Sequence, residues 1–234
     1  MREKLIKICE EVTIEGNGAV IPEPYIPYIP ERWNRVIVLA EAQNLAKSND
    51  DYVGILQKMS KRNRIERLYR AFETENRMRI QPWDDGSLQL AVEGALGIRP
   101  QETAVSNSVM WSQRKRNGTN MNPSSKLRRL STRLWEEMSK EISPRIVVTA
   151  GAVARDVIRP VWPGVIQINL RLPSPPAMAL LAGKTDESSL CNAHETIDKL
   201  MLKYPTWFKK NKRFKALYIW HALDKVKGMK FTDV

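Results

Sequence analysis

Val36-Ile-Val-Leu-Ala-Glu-Ala-Gln-Asn44 is the stretch that decides the fold. Four apolar residues run without alternation and end in a carboxylate and two amides. A strand that is apolar on both faces belongs in a sheet covered on both sides, which is the condition of a parallel sheet. Glu41, Gln43 and Asn44 fall where this strand gives way to a loop. In open α/β sheets, ligands bind at such carboxyl ends.

The pattern repeats downstream. Ala104 to Met110 reads as a second strand, interrupted by Ser106, Asn107 and Ser108. Ile146 to Val148 and Val165 to Leu170 read as two more. Helical spacing lies between them. Residues 53–72 carry Ile55, Met59, Ile65, Leu68 and Phe72 in register, and Leu88 to Leu96 forms a helix closed by Gly97. Pro123-Ser-Ser125 opens a helix with the stripe Leu127, Leu130, Leu134 and Met138. Gly151 turns into a helix from Ala152 to Ile158, and a last one spans Ser188 to Tyr204. Strand and helix in alternation predict a three-layer α/β/α fold with a central, mostly parallel four-stranded sheet.

Around this body (residues 36–204) lie two flanks. Residues 1–35 read as a helix and then an extended arm, because Pro22, Pro24, Pro27 and Pro30 forbid regular helix. Tyr25, Ile26, Tyr28 and Ile29 are its clamps. Residues 205–234 read as a basic C-terminal extension of the same domain.

Charge narrows the partners. Lysines and arginines number 38 against 26 acids, a net +12. The excess is clustered: Gln113 to Arg133 holds seven basic residues and no acid, and Lys203 to Lys230 holds nine against Asp224 alone. Such blocks attract polyanions, and nucleic acid is the expected partner. The first block makes Arg114, Lys115 and Arg116 the candidate DNA contacts. No apolar run approaches the ~20 residues of a membrane span, and the charged N-terminus is not a signal peptide, so a cytoplasmic protein is expected.

Cofactor chemistry finds no support in the sequence. Cys9 and Cys191 are the only cysteines and His194 and His221 the only histidines, too few for a four-cysteine cluster or a His-rich metal site. Neither a dinucleotide Gly-x-Gly-x-x-Gly nor a phosphate-loop motif is present. No metal and no cofactor are expected.

Three polar strand ends then stand out in fixed order: Glu41, Asn107 and the segment Leu172-Pro-Ser-Pro175. A carboxylate beside a sugar can stabilise positive charge and orient water, although Glu41 could equally cap a helix. The Asn107 amide offers a donor and an acceptor to a base edge, or is satisfied by backbone. Trp83 could stack on a base or simply pack. Asp84 and Asp85 are a second source of carboxylate, or turn residues. Ser174 can donate to a backbone phosphate.

The order and strand context of these motifs resemble the uracil-DNA glycosylase superfamily from about Arg35 to Tyr204. Ala40-Glu41-Ala42-Gln43-Asn44 stands where the family carries Gly-Glu-Ala-Pro-Gly, and Leu172-Pro-Ser-Pro175 stands for His-Pro-Ser-Pro. The resemblance implies a DNA glycosylase that flips a base and hydrolyses its bond to the sugar. Glu41 would be catalytic, Asn107, Trp83, Ala42 and Gln43 would surround the base, and Met178 would sit in an apolar wedge. Uracil is the family's default substrate; Ala40, Gln43, Asn44 and Leu172 depart from the family, which points toward uracil or another damaged or modified base, including hypermodified phage DNA in a defence enzyme. A catalytically inactive DNA-binding module is the alternative, and an RNA-binding protein a further one.

Overall fold

A computed structural model of the protein describes residues 1–12, 18–74, 86–173 and 193–229. Its centre is a four-stranded, all-parallel sheet. The strands are β1 (Val36–Ala42), β2 (Thr103–Val109), β5 (Ile146–Ala150) and β6 (Ile166–Leu170), in the spatial order β2-β1-β5-β6. Two short strands, β3 (Gln113–Arg114) and β4 (Asn120–Met121), make a separate antiparallel hairpin.

The apolar runs form strands because both faces are covered. All of Val36 to Ala40, Ala104, Val105 and Ile146 to Val148 are buried. On the face carrying Val148 and Ile168 lie α5 (Ser87–Leu96) and α9 (Lys212–Val226). On the other face α6 (Ser125–Ser139) and α7 (Ala152–Ile158) pack against β1 and β2. The result is the three-layer α/β/α arrangement that the alternation predicts.

Helix starts follow local chemistry. Ser124 accepts a bond from the Leu127 N–H and so begins α6. The single helix expected over 53–72 is instead three: α2 (Asp50–Lys58), α3 (Lys61–Ile65) and α4 (Arg67–Thr74). Met59 is extended, and Ser60 caps the fresh start at Asn63 N. A serine can serve as helix interior or as cap, and here its hydroxyl takes the cap.

The N-terminal flank is α1 (Arg2–Glu10) followed by the arm. Tyr28 pairs with Val105 in antiparallel fashion through two backbone bonds of 3.0 and 2.9 Å. Its ring stacks on Phe72 and meets Tyr69 edge-on. The C-terminal flank holds α9, which the sequence reading does not assign as a helix. It lies between the main core, through Leu217, Tyr218 and Ala222, and a second cluster made by Ile219 with Leu90, Ile197, Leu200 and Phe208. Ile197 and Leu200 belong to α8 (His194–Lys203). Among the described residues no helix is long and apolar enough to cross a membrane.

Candidate active site

The sheet order sets the place. From β1 the chain moves to β2 on one side, then crosses back to β5 on the other. A crevice opens where this reversal occurs, beyond the carboxyl ends of β1 and β5. A cleft of about 430 Å³ lies there, lined by Glu41, Gly151, Ala152, Arg155, Asn169, Leu170, Arg171, Leu172 and Lys225.

Glu41 is the carboxylate of this cleft. It is half-buried at the end of β1, and its Oε1 accepts a 3.2 Å bond from Val153 N in the first turn of α7. Gly151, between β5 and α7, has φ +101°, and a β-carbon there would lie 2.3 Å from Glu41 Oε1. The missing side chain of Gly151 is therefore the space that the carboxylate occupies. Burial raises the Glu41 pKa above the ordinary carboxylate range, while the Val153 bond and the charge of Arg128 oppose it. A carboxyl poised in this way can accept a proton from water or face a developing cation.

Asn169 joins Glu41 on the same wall. Its Oδ1 accepts a 2.7 Å bond from Thr149 Oγ1, a residue opposite it in the β5–β6 register. Arg155, Arg171 and Lys225 bring three cations. Sequence reasoning missed all four of these residues. A polar Asn169 inside an apolar strand was the one available signal.

Asn107 is elsewhere. It pairs in register with Ala40, and Ala42 pairs with Val109, so Glu41 stands on the opposite face of the sheet. The expectation that Glu41 and Asn107 share one pocket is not met. Asn107 is buried, and its Nδ2 donates a 2.7 Å bond to Tyr25 Oη. That hydroxyl is pushed up to about 12, chiefly by burial. The Arg67 guanidinium lies 3.9 Å over the Tyr25 ring and donates through Nε to Gln43 Oε1 at 3.2 Å. Gln43 is thus buried in an internal polar network, with its Nε2 on Tyr52 Oη at 3.4 Å. Ala42 is half-buried at the strand end and outside the cleft lining. Asn44 is exposed and its Oδ1 accepts from Ala46 N at 3.1 Å.

The basic hairpin also differs from the expectation. Arg114 is consumed internally: its Nη1 pairs with Asp50 at 2.6 Å, Nη2 donates to Ala46 O at 3.2 Å and Nε to Leu45 O. It holds the loop after β1 and offers no free charge. Lys115 and Arg116 are exposed. Leu172 lines the cleft and packs against the main core. Trp83, Asp84, Asp85, Ser174, Pro175 and Met178 lie outside the described residues.

Geometry alone thus assembles a half-buried carboxylate, one amide and three cations in a cleft at the sheet's reversal point. Compared with protein-family models and with curated proteins, the chain matches none.

Proposed function

We propose that the protein is a DNA glycosylase acting on a damaged or modified base. The observation that carries this reading is the Glu41 carboxylate, its pKa raised by burial, at the reversal point of the sheet in a cleft walled by Arg155, Arg171 and Lys225. The cations attract the strand, and the carboxylate meets the sugar. As the base departs with the bonding electrons, positive charge grows on the sugar, where Glu41 offsets it and orients the incoming water. Asn169 lines the cleft and takes the part of reader of a base edge, a part that Asn107 cannot take while bound to Tyr25.

One observation favours a second reading, a DNA-binding module without catalysis. Glu41 already caps α7 through Val153 and fills the space at Gly151, which is a structural duty sufficient to retain it.

One experiment separates them. Single- and double-stranded oligonucleotides carrying a panel of altered bases are incubated with the protein and treated with alkali to cut at abasic sites. The first reading expects release of at least one base, with single-turnover rates falling roughly 10²–10⁴-fold in Glu41→Gln. Asn169→Ala should relax base choice, while Asn107→Ala should act on stability. Binding without release from any member of the panel establishes the second reading.

A further inference from the structure

The basic C-terminal helix α9 reaches the cleft along one face. Tyr218, His221 and Lys225 are spaced by three and four residues, so they share a side of the helix. Tyr218 Oη donates a 2.7 Å bond to Arg171 O, and Arg171 N donates a 3.1 Å bond to His221 Nε2. Both backbone groups of Arg171 are therefore gripped by one helix. One turn further on, Lys225 lines the cleft beside Arg171.

The two cations line the same cleft. His221 is buried and pushed down to about 4, by burial first and then by the charges of Lys225 and Arg171, with Asp224 opposing. The Arg171 backbone meets this imidazole, and Lys225 lies one turn further along the same helix face. Among the described residues neither forms an ion pair with a carboxylate, whereas Arg155 across the cleft pairs with Asp156 at 2.9 Å. Two neighbouring like charges repel, and an anion between them relieves that repulsion. The sheet's reversal point beside Glu41 is an open cleft, so the anion can be part of a chain that continues past it.

We propose that Arg171 and Lys225 form a phosphodiester-binding subsite for a nucleic acid strand, with Tyr218 and His221 as positioning residues that lock Arg171. The subsite deepens the glycosylase reading, because a phosphate held there places its sugar near Glu41. It moves the DNA contacts from the 114–116 hairpin to the C-terminal helix.

The test is binding alone. Fluorescence anisotropy follows a labelled, unmodified DNA duplex on the full chain between about 50 and 200 mM salt, where each neutralised phosphate contributes about 0.9 to the log–log slope. Arg171→Gln/Lys225→Gln should lower the slope by about 1.8, and Lys115→Gln/Arg116→Gln should leave it in place. His221→Leu should lower it by about 0.9 and His221→Gln, which keeps an acceptor, should restore it. A structural lesion would move the unfolding midpoint without this pattern. Variants are compared only after circular dichroism matches wild type. If His221→Leu does not fold, Arg171→Gln and Lys225→Gln singly carry the test. An unchanged slope in the double variant overturns the subsite. Failure of base release leaves the slopes standing, and an unchanged slope leaves base release standing, so the two proposals fail separately.

Discussion

Gly151→Ala is the sharpest probe of how the cleft is built. Two separate penalties meet at this position. The backbone stands at φ +101° and ψ 159°, a region that only glycine occupies without strain. Holding a residue with a side chain in such a region costs about 1–3 kcal/mol. The new methyl would also lie 2.3 Å from Glu41 Oε1 and 2.7 Å from its Cδ, closer than the 3.0 Å below which real β-carbons are essentially never found. Glu41 must then leave Val153 N, and loss of a capping acceptor costs about 0.5–2 kcal/mol. Together the change should destabilise the fold by about 1.5–5 kcal/mol. The assay is urea unfolding followed by tryptophan fluorescence, run as a double-mutant cycle with Glu41→Ala. In the Glu41→Ala background only the backbone strain remains, so the cost of Gly151→Ala should fall by about 0.5–2 kcal/mol. Equal costs in both backgrounds would refute the placement of the carboxylate against Gly151. A single variant within about 0.5 kcal/mol of wild type would refute both penalties.

Three other outcomes follow from the same geometry. Tyr25→Phe removes the acceptor of the buried Asn107 amide and should cost about 1–3 kcal/mol in chemical denaturation, with the slope against denaturant unchanged. His221 sits below its ordinary pKa when folded, so the unfolded chain takes up its proton first. Stability should fall as pH drops from about 6.5 toward about 4, by at most about 3 kcal/mol, and His221→Gln should flatten that part of the profile. Glu41 has the opposite displacement. Its raised pKa favours the protonated folded form, so wild type should lose thermal stability relative to Glu41→Gln as pH rises through the carboxylate range, read by calorimetry at several pH values.

The strands were legible because burial on both faces leaves an unbroken apolar run, as in Val36 to Leu39 and Ile146 to Val148. The start of α7 was legible because Gly151 marks the turn. Helix α9 was not. Leu217, Tyr218, Ile219 and Ala222 point into two different clusters, so no single apolar stripe forms. The relation of Glu41 to Asn107 was also out of reach. A slip of one residue in the β1–β2 register would reverse which side chains share a face, and nothing local specifies that register. The 114–116 charge run misled for a related reason. A run of basic residues shows charge, but whether Arg114 is free depends on Asp50 and on carbonyls of the β1 loop. The cleft's own cations come from α7, the end of β6 and α9, three places that only the fold brings together.

The bridge between Tyr28 and Val105 has a consequence for the life of the chain. β2 is one of the two edge strands of the sheet, and an edge strand with free backbone groups is a template for another molecule. The arm occupies part of that template from within the same chain. It is also synthesised before the strand that it covers, so the guard is waiting when β2 leaves the ribosome. Loss of the Tyr28 pairing would open the backbone groups of this edge to self-association.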